Sequence, residues 1–333
     1  ENDDTEELLY RVSHGDIDVT IADNLIAEVA QSYLSDLRID ITISGDRPVA
    51  WAMRPGSEML RDSVDAFVTQ VTPSVRLPER VLGDLPAIRE RGVLRVLTRN
   101  NATSYFVWRG EVLGFEHDLA TDFARSLDLR VEFVVVPTWG ALSTWLLDGR
   151  GDIAAAGITR GDTADRLMAY SRPYHRVVEM AVTDTADTTL HLPEDLAGRR
   201  VAARRSSSYW QTALRLLEQG VALELEPVPE DMETEEVLGL VATGDYDVAF
   251  ADSHTLEVEL MWRDDIRGAF AVSDSVEHAW MARPGDAELM AAVNAYFDRS
   301  VRGTFYNLTK AKYFGNRKAS RRYVAGRADR TGA

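Results

Sequence analysis

Two serines stand where a helix is expected to begin, and they could bind an anion. Ser207 and Ser208 follow Arg205 and lie directly ahead of YWQTALRLLEQG. That stretch has apolar residues three and four apart, which predicts an amphipathic helix. Because hydroxyls and free backbone N–H groups at a helix N-terminus favour a negative charge, the serines are candidate contacts for a carboxylate. The alternative is an ordinary helix N-cap without a ligand.

A single aspartate follows a pattern typical of a buried strand. Asp252 ends the phrase GDYDVAFAD, which begins at Gly244, and the apolar run within this phrase predicts a strand. Clefts in open α/β sheets form at the carboxyl ends of strands, so Asp252 is a second candidate ligand contact. From the residues alone, it could equally cap the helix predicted after it.

The sequence contains no arrangement of residues typical of an enzyme or of a metal site. Its six histidines make no HExxH pair or other metal-ligand spacing, and it has no GxSxG elbow, no Walker-type phosphate loop and no GxGxxG after a strand. The lack of cysteine excludes disulfides and thiol catalysis. We therefore predict no catalytic residue, no metal ion and no cofactor in this chain.

The composition excludes several classes of protein. The 333 residues carry a net charge of −17, with 45 % apolar and 27 % charged residues. An acidic surface repels phosphate backbones, so we expect no nucleic-acid partner. The longest apolar runs, such as VEFVVV at 131–136, are far shorter than the roughly 18 residues that span a bilayer. The composition predicts a water-soluble chain long enough for two domains.

The phrase at 244–252 has a near copy, GDIDVTIAD, at 15–23. The offset of 229 between them continues without a gap and maps Arg-Pro-Gly at 54–56 onto the same run at 283–285. Self-similarity in one register indicates two copies of one unit. The first copy starts only at the equivalent of about residue 230, so we expect it to be incomplete.

Strand and helix patterns alternate through the second copy. RVLTR, VEFVVV and DIAAAG are short apolar runs, whereas GFEHDLATDFARSLDL and WGALSTWLLDG have helical spacing. This alternation predicts an α/β fold with mainly parallel sheets. We expect the C-terminal part of a first, incomplete module over 1–75, a proline-containing linker over 76–86, a complete module over 87–316 and a basic linker towards a downstream domain over 317–333.

Several motifs of the second copy resemble a known family. In chain order they include GVLRVLTRN, SYF, GFEHDLA, GDIAAAGIT, SRPY, VAARRSSSYW and GDYDVAFAD. They resemble the type II periplasmic solute-binding proteins of the polar amino-acid group. TRN, SYF and GFEHDLA, with the ending KAKYFG, look most like the binding module of the membrane-bound lytic murein transglycosylase F family. The resemblance implies a two-lobed fold with a cleft, lobe one covering about 87–182 and 274–316 and lobe two about 183–273.

The resemblance also implies roles for individual residues. In the family, an aspartate at the position of Asp252 accepts hydrogen bonds from the ammonium group of an amino acid. The family usually has Gly-x-x-x-Thr-x-x-Arg, with the arginine paired to the ligand carboxylate. This chain has Gly161 in the threonine position and Ala164 in the arginine position. Alanine cannot form that bidentate pair.

Neighbouring residues complete the expected site. Arg160 and Arg166 lie close in sequence to the substituted position and could hold the carboxylate instead. Tyr105 and Phe106, in the loop after the first strand, could supply the apolar wall of a ligand pocket. The expected ligand contacts are therefore Tyr105, Phe106, Arg160, Arg166, Ser207, Ser208 and Asp252.

The resemblance implies a non-catalytic periplasmic module that binds or senses an amino acid or a peptidoglycan-derived peptide. Within the transglycosylase F family it would be the regulatory part of a lytic enzyme of the Gram-negative cell envelope. The catalytic domain would follow residue 333 in the same polypeptide, with a tether to the outer membrane. Two alternatives stay open. One is the solute-binding component of an amino-acid ABC transporter, and the other is a degenerate scaffold, which Gly161 and Ala164 favour.

Overall fold

The computed structural model describes residues 79–108, 111–160 and 167–314, and in the N-terminal part residues 5–13, 15–23 and a few single positions between 26 and 63. Contacts divide these residues into a small N-terminal unit and a large unit that holds residues 79–314. The predicted features outside the described residues are Gly161, Ala164, Arg166, most of the module expected over 1–75 and the tail expected over 317–333. No helix among the described residues is long and apolar enough to cross a membrane.

The N-terminal unit includes a helix, α1, over Thr5–Ser13. Its Leu9 is buried at the centre of a small apolar cluster. A turn follows at Gly15, whose φ of 77° suits a residue without a Cβ. The chain after this turn pairs as a strand with no described residue, and Val19 and Ile21 are exposed by 79 % and 74 %.

The large unit alternates short strands with helices, as the sequence predicts. Its first part contains α2 (Leu85–Arg91), β1 (Val93–Thr98), β2 (Phe106–Trp108), β3 (Glu111–Leu113), α3 (Phe115–Ser126), β4 (Arg130–Val135), α4 (Ala141–Leu147), β5 (Ile153–Ala154) and β6 (Ala169–Tyr170). Its middle part contains β7 (His175–Asp184), a 3-10 turn (Pro193–Leu196), β8 (Arg200–Ala203), α5 (Ser208–Glu218), β9 (Glu224–Pro227), α6 (Thr234–Ala242), β10 (Val248–Asp252), α7 (Ser253–Glu259) and β11 (Ile266–His278). Its last part contains β12 (Met281–Ala282), α8 (Ala287–Ser300) and α9 (Thr304–Phe314).

The first lobe is built on a five-stranded sheet in the order β4-β1-β5-β12-β6. Strands β4, β1 and β5 are parallel, and β12 returns antiparallel between β5 and β6. The inner strand β1, between β4 and β5, is buried at five of its six positions, as expected of a short apolar run in a parallel sheet. Helix α2 leads into β1: it begins where the Asp84 carboxylate accepts the N–H of Leu85 at 2.7 Å, and it ends at Gly92.

The second lobe has its own five-stranded sheet, in the order β11-β7-β10-β8-β9. Its central strand β10 is buried along its whole length because helices cover both faces. Side chains that alternate along β10 join two separate apolar clusters, one with Ala213 and Leu216 of α5 and the other with Val237 and Leu238 of α6. The C-terminal residue of β10, Asp252, therefore lies at the end of a rigid strand.

The chain crosses between the lobes at two places. Strands β7 and β11 pair antiparallel along almost their whole length, from the pair Ile266 and Asp184 to the pair His278 and His175. Both strands therefore belong to the second sheet, and the crossovers lie just before His175 and just after His278. The lobe limits expected at 182/183 and 273/274 fall inside these strands, because β7 and β11 are longer than their apolar patterns indicate. In this structure the second lobe takes in 175–278.

The segment expected as a linker over 76–86 is tied to the first lobe at its end. Residues 79–84 have no regular structure, and α2 already begins at Leu85. The guanidinium of Arg95, on β1, donates to the carbonyl oxygens of Glu79 at 2.7 Å and Val81 at 2.9 Å. The first lobe thus starts a few residues earlier than the sequence pattern predicts.

The helix and turn that precede the two copies of the repeated phrase have the same hydrogen bonds. Under the offset of 229, α1 coincides with α6 residue for residue. In each copy the N–H of the turn glycine donates to the carbonyl three residues earlier at 3.1 Å, and the next N–H donates to the carbonyl five residues earlier at 2.9 Å. The two glycines, Gly15 and Gly244, have φ angles of 77° and 82°. Among the described residues, the second copy alone continues into a paired strand, β10.

Candidate ligand-binding site

A cavity of about 680 Å³ lies between the two lobes. The segments that follow the carboxyl ends of β1 and β5 line it from the first lobe, and the start of α5 and the end of β10 line it from the second. This is the place where open α/β sheets form ligand sites. The volume falls within the range of about 300 to 1,000 Å³ that is usual for small-molecule pockets.

Asp252 lines this cavity with one oxygen unpaired. Its Oδ2 accepts a hydrogen bond from Nε2 of His278 at 2.9 Å, and its backbone N–H donates to the hydroxyl of Tyr209 at 3.0 Å. Its Oδ1 is buried and has no hydrogen-bond partner among the described residues. Although Asp252 occupies the N-cap position of α7, its side chain makes no capping hydrogen bond. The sequence left two roles open for Asp252, a ligand contact and a helix cap. In the structure its side chain does not cap α7.

A second carboxylate, Glu179, lies in the same cavity and was not predicted from the sequence. It is on β7, fully buried, and its Oε2 accepts a hydrogen bond from Thr212 of α5. Its Oε1 has no partner in the part of the chain that the structure describes. Burial raises the pKa of Glu179, and the hydrogen bond from Thr212 opposes that shift. In the sequence, Glu179 could have been noticed only as the single acidic residue in the mainly apolar stretch HRVVEMAV.

The two serines at the start of α5 have different surroundings. The Ser207 hydroxyl accepts from the N–H of Trp210 at 3.2 Å and donates to the carbonyl of Arg204 at 2.7 Å. Ser207 is thus the N-cap of α5, the alternative that the sequence left open. Ser207 and Ser208 both line the cavity, as Glu179 does.

Four arginines line the cavity, and one of them was predicted. Arg160 lies in the segment after β5, and its N–H bonds to the carbonyl of Glu277 at 2.9 Å. The other three come from the second lobe: Arg204, Arg205 and Arg215. Arg204 is buried, which lowers the pKa of its guanidinium, and it donates to the carbonyl of Met232 at 2.7 Å. The cavity therefore offers cationic groups as well as carboxylates.

Tyr105 and Phe106 do not line the cavity. Both are buried within the first lobe, where the Tyr105 ring packs against that of Phe133 at 5.4 Å between centroids. The side chain of Asn101 accepts the backbone N–H of Ser104 at 2.7 Å and turns the loop after β1 so that the aromatic residues enter the core. The aromatic residues in the cavity wall are instead Trp139 and Tyr209.

Trp139 belongs to a group of side chains that joins the lobes, and we call Arg99, Asn101, Trp139, Arg204 and Glu233 the interlobe cluster. The Trp139 ring lies between the guanidinium carbons of Arg99, at 5.7 Å, and Arg204, at 5.1 Å. Its Nε1 donates to Glu233 at 3.2 Å, and Arg99 forms an ion pair with Glu233 at 2.6 Å. These contacts cross from the first lobe to the second beside the cavity.

Three buried histidines lie close together, His175, His254 and His278, and His254 lines the cavity. Their rings lie between 5.3 and 6.0 Å apart, centroid to centroid. Burial lowers the pKa of His175 to about 3 and holds the pKa of His254 well below its usual value. One donor atom from each of Asp252, His254 and His278 lies within 4.8 Å of the others, so these three residues could hold a metal ion. Their sequence spacing gave no such signal because His278 comes from a separate strand.

Comparison with known proteins agrees with this architecture. Residues 94–316 match the family of bacterial extracellular solute-binding proteins, family 3. The chain is 34 % identical over 235 residues to the membrane-bound lytic murein transglycosylase F of Desulfosudis oleivorans, which covers 70 % of this chain and 51 % of that protein. Identity to the protein of the same name from Pseudomonas putida strain GB-1 is 27 % over 234 residues, covering 70 % and 48 %. The chain spans about half the length of these curated relatives.

Solved structures with the same fold include two amino-acid-binding proteins. A mutant of ArgBP from T. maritima superposes with a TM-score of 0.62 at 22 % identity, covering 69 % of this chain and 99 % of that one. An ancestral amino acid-binding protein, a precursor of cyclohexadienyl dehydratase, has a TM-score of 0.61 at 24 % identity, with coverages of 69 % and 98 %. These similarities confirm the predicted two-lobed, type II fold. The chain belongs to the bacterial extracellular solute-binding proteins of family 3.

Proposed function

We propose that this chain is the small-ligand sensing module of a periplasmic lytic murein transglycosylase, with an amino acid or a peptidoglycan-derived peptide as its ligand. Membership of an extracellular solute-binding family supports a binding role outside the cytoplasm. Its 34 % identity to a membrane-bound lytic murein transglycosylase F supports the cell-envelope context. That relative is about twice as long as the matched region, so we also propose a transglycosylase domain in the same polypeptide and a tether to the outer membrane.

The observation that carries the proposal is the pair of unpaired carboxylate oxygens in one cavity. Asp252 Oδ1 and Glu179 Oε1 are buried without a partner among the described residues. Buried polar atoms in folded proteins nearly always have a hydrogen-bond partner, because leaving one unpaired costs about 1 to 3 kcal/mol. A ligand with an ammonium group would supply N–H donors to both oxygens.

The carboxylate of such a ligand requires donors elsewhere in the cavity. Ala164 replaces the arginine that holds the carboxylate in the resembling family, so we propose Arg160 for this role, with Arg166 as the second candidate. Arg160 supports the proposal because it lines the cavity, and a guanidinium forms the strongest pairs with carboxylates. Ser208, at the N-terminus of α5, would add a hydroxyl donor where the helix dipole favours an anion.

Isothermal titration of the EDTA-treated chain with amino acids and muropeptides tests this function. We expect at least one zwitterionic ligand to bind, and Asp252→Asn to weaken it by about tenfold or more because the charge-assisted hydrogen bond to the ammonium is lost. Asp274→Asn is the matched control, since Asp274 is an exposed carboxylate of the same lobe outside the cavity. A folded chain that binds none of these ligands would point to the scaffold alternative.

A further inference from the structure

One wall of the cavity brings together three side chains that are typical ligands of transition metals. Asp252 ends β10, His254 is the second residue of α7 and His278 ends β11. They are exposed by only 5 %, 7 % and 1 %. One donor atom from each lies within 4.8 Å of the other two. The fold therefore gathers two imidazoles and a carboxylate from three consecutive elements at one point.

Two of these residues carry buried atoms that no described residue contacts by a hydrogen bond. Nδ1 of His254 and Oδ1 of Asp252 have no hydrogen-bond partner among the residues that the structure describes. An imidazole nitrogen and a carboxylate oxygen both offer a lone pair to a cation. Two buried, unpaired lone-pair atoms in this cluster are a second observation that points to a bound ion, besides the clustering of the three side chains.

We propose that Asp252, His254 and His278 bind one divalent transition-metal ion of the zinc class. Two nitrogens and one oxygen form a donor set that suits Zn²⁺, with a fourth position left for water or a ligand. Donors around a tetrahedral zinc ion with bonds of about 2.0 Å are about 3.3 Å apart, so each donor here needs to move by about 1 Å or less. This inference goes beyond the proposed function and does not depend on it.

The hydrogen bond between His278 and Asp252 already has the spacing of two ligands on one ion. Nε2 of His278 lies 2.9 Å from Oδ2 of Asp252. Because a carboxylate only accepts, the imidazole nitrogen carries the proton between them. A metal ion bound by both residues would take the place of that proton, which is how metal ions and protons compete for histidine ligands.

The surroundings fix the histidine rings. His175 pairs with His278 in the register of β7 and β11, and its Nδ1 lies 3.3 Å from the hydroxyl of Tyr306. That hydroxyl donates its only proton to the carbonyl of Tyr174 at 2.7 Å, so His175 Nδ1 must be the donor to Tyr306. The ring of Phe314 packs edge-on against His254 at 5.0 Å. Such packed and hydrogen-bonded neighbours hold metal ligands in place.

The open coordination position would face the cavity. Asp252 and His254 are both among the residues that line it, whereas His278 lies behind them. A metal ion held by the three residues would therefore be reachable from the cleft. A small ligand with an amino or carboxylate group could complete the coordination from the cavity side.

Titration of the EDTA-treated full chain with ZnCl₂ alone tests the proposal, with CoCl₂ as a spectroscopic probe. We expect one Zn²⁺ per chain and visible d–d absorption when Co²⁺ is added. His254→Gln should lower the Zn²⁺ affinity by tenfold or more, because it removes one of three protein ligands. His191→Gln is the matched control, since His191 is an exposed histidine of the same lobe and should leave the affinity unchanged.

Absence of Co²⁺ absorption in the wild-type chain would overturn the metal site, as would Zn²⁺ binding of unchanged affinity in a folded His254→Gln chain. If His254→Gln does not fold, as judged by circular dichroism, the near-isosteric Asp252→Asn gives the same readout. The amino-acid titrations are run in EDTA and the zinc titrations without any amino acid. Failure of the metal site and failure of the proposed function are therefore distinguishable.

Discussion

Glu233 is a buried carboxylate that three groups of the first lobe contact. Besides the ion pair with Arg99 and the hydrogen bond from Trp139, it accepts the side-chain N–H of Asn101 at 3.3 Å. Burial raises the pKa of Glu233 to about 7, the negative charge of Glu235 adds to that shift, and Arg99 opposes it. Ionising both of two adjacent buried carboxylates costs free energy, because burial and the like charge each disfavour the ionised form.

This pKa leads to a prediction about stability and pH. The folded pKa of Glu233 is about 7, raised from the usual 4.5, so the folded state binds more protons between these values. The protonation of Glu233 therefore adds to the free energy of unfolding. This contribution is fully present below pH 4.5 and is lost as the pH rises through 7. Glu235→Gln removes the neighbouring charge while keeping an acceptor for the N–H of Ala102. It should therefore reduce that loss by about 1 to 2 kcal/mol.

Urea unfolding at pH 5 and pH 8 measures this difference. The wild-type chain should lose more free energy of unfolding between the two pH values than Glu235→Gln does. Glu257→Gln, on an exposed position of α7, is the control and should keep the wild-type pH dependence. Identical pH dependence in wild type and Glu235→Gln would show that the two carboxylates are not coupled.

Single residues of the site were predictable only where a local pattern marks them. Asp252 and Ser208 follow a strand and open a helix, so their positions at the cleft follow from element order. Glu179 and His278 lie on the long antiparallel strands, whose pairing brings them to the cleft from distant parts of the chain. Tyr105 was expected in the pocket, but the hydrogen bonds of Asn101 direct it into the core.

At the scale of elements, helix α5 begins at two serines that both line the cavity, and the hydroxyl of Ser207 is already used in capping the helix. Ser207→Ala should remove the hydrogen bond to the N–H of Trp210 and lower the free energy of unfolding by about 1 kcal/mol. It should leave ligand affinity nearly unchanged. Ser208→Ala should do the reverse and weaken the ligand by about tenfold, because it removes a donor from the cavity.

The two variants are matched controls for each other, because each lacks one hydroxyl and the two positions are adjacent in the chain. Thermal unfolding and ligand titration of both variants separate the two roles. If Ser207→Ala weakens the ligand more than Ser208→Ala does, the roles assigned to the two serines are wrong.

Most elements could be predicted from their periodicity, and the exceptions have a common cause. The apolar run VEFVVV at 131–136 became β4 over Arg130–Val135, and the stretch beginning GFEHDLA became α3 over Phe115–Ser126. By contrast, β11 extends over 13 residues and contains two shifts of register against β7. The length and register of such a strand depend on its pairing with the partner strand more than on its own sequence pattern.

At the scale of the whole molecule, the interlobe cluster joins the two lobes beside the cavity, and we expect its contacts to favour the closed arrangement. Trp139→Ala removes two cation–π contacts and the hydrogen bond to Glu233. The loss should amount to about 2 kcal/mol, or roughly a 30-fold change in the ratio of closed to open molecules. We expect the ligand-free variant to have a larger radius of gyration in small-angle X-ray scattering, as hinge opening requires.

Trp262→Ala is the control for this experiment. Trp262 also lies beside an arginine, Arg263 at 5.4 Å, but both belong to the second lobe and neither lines the cavity. This variant should scatter like the wild-type chain. An unchanged radius of gyration in Trp139→Ala would mean that other contacts hold the lobes together.

The helix and turn shared by the two parts of the chain have a consequence for the order of folding. The same hydrogen bonds form around Gly15 and around Gly244, although only the second turn leads into a strand with neighbours among the described residues. Because two copies of similar sequence share this conformation, we infer that some 13 consecutive residues encode it. Local contacts form faster than distant ones, so we expect α6 and its turn to precede β10, which must wait for β7 and β8.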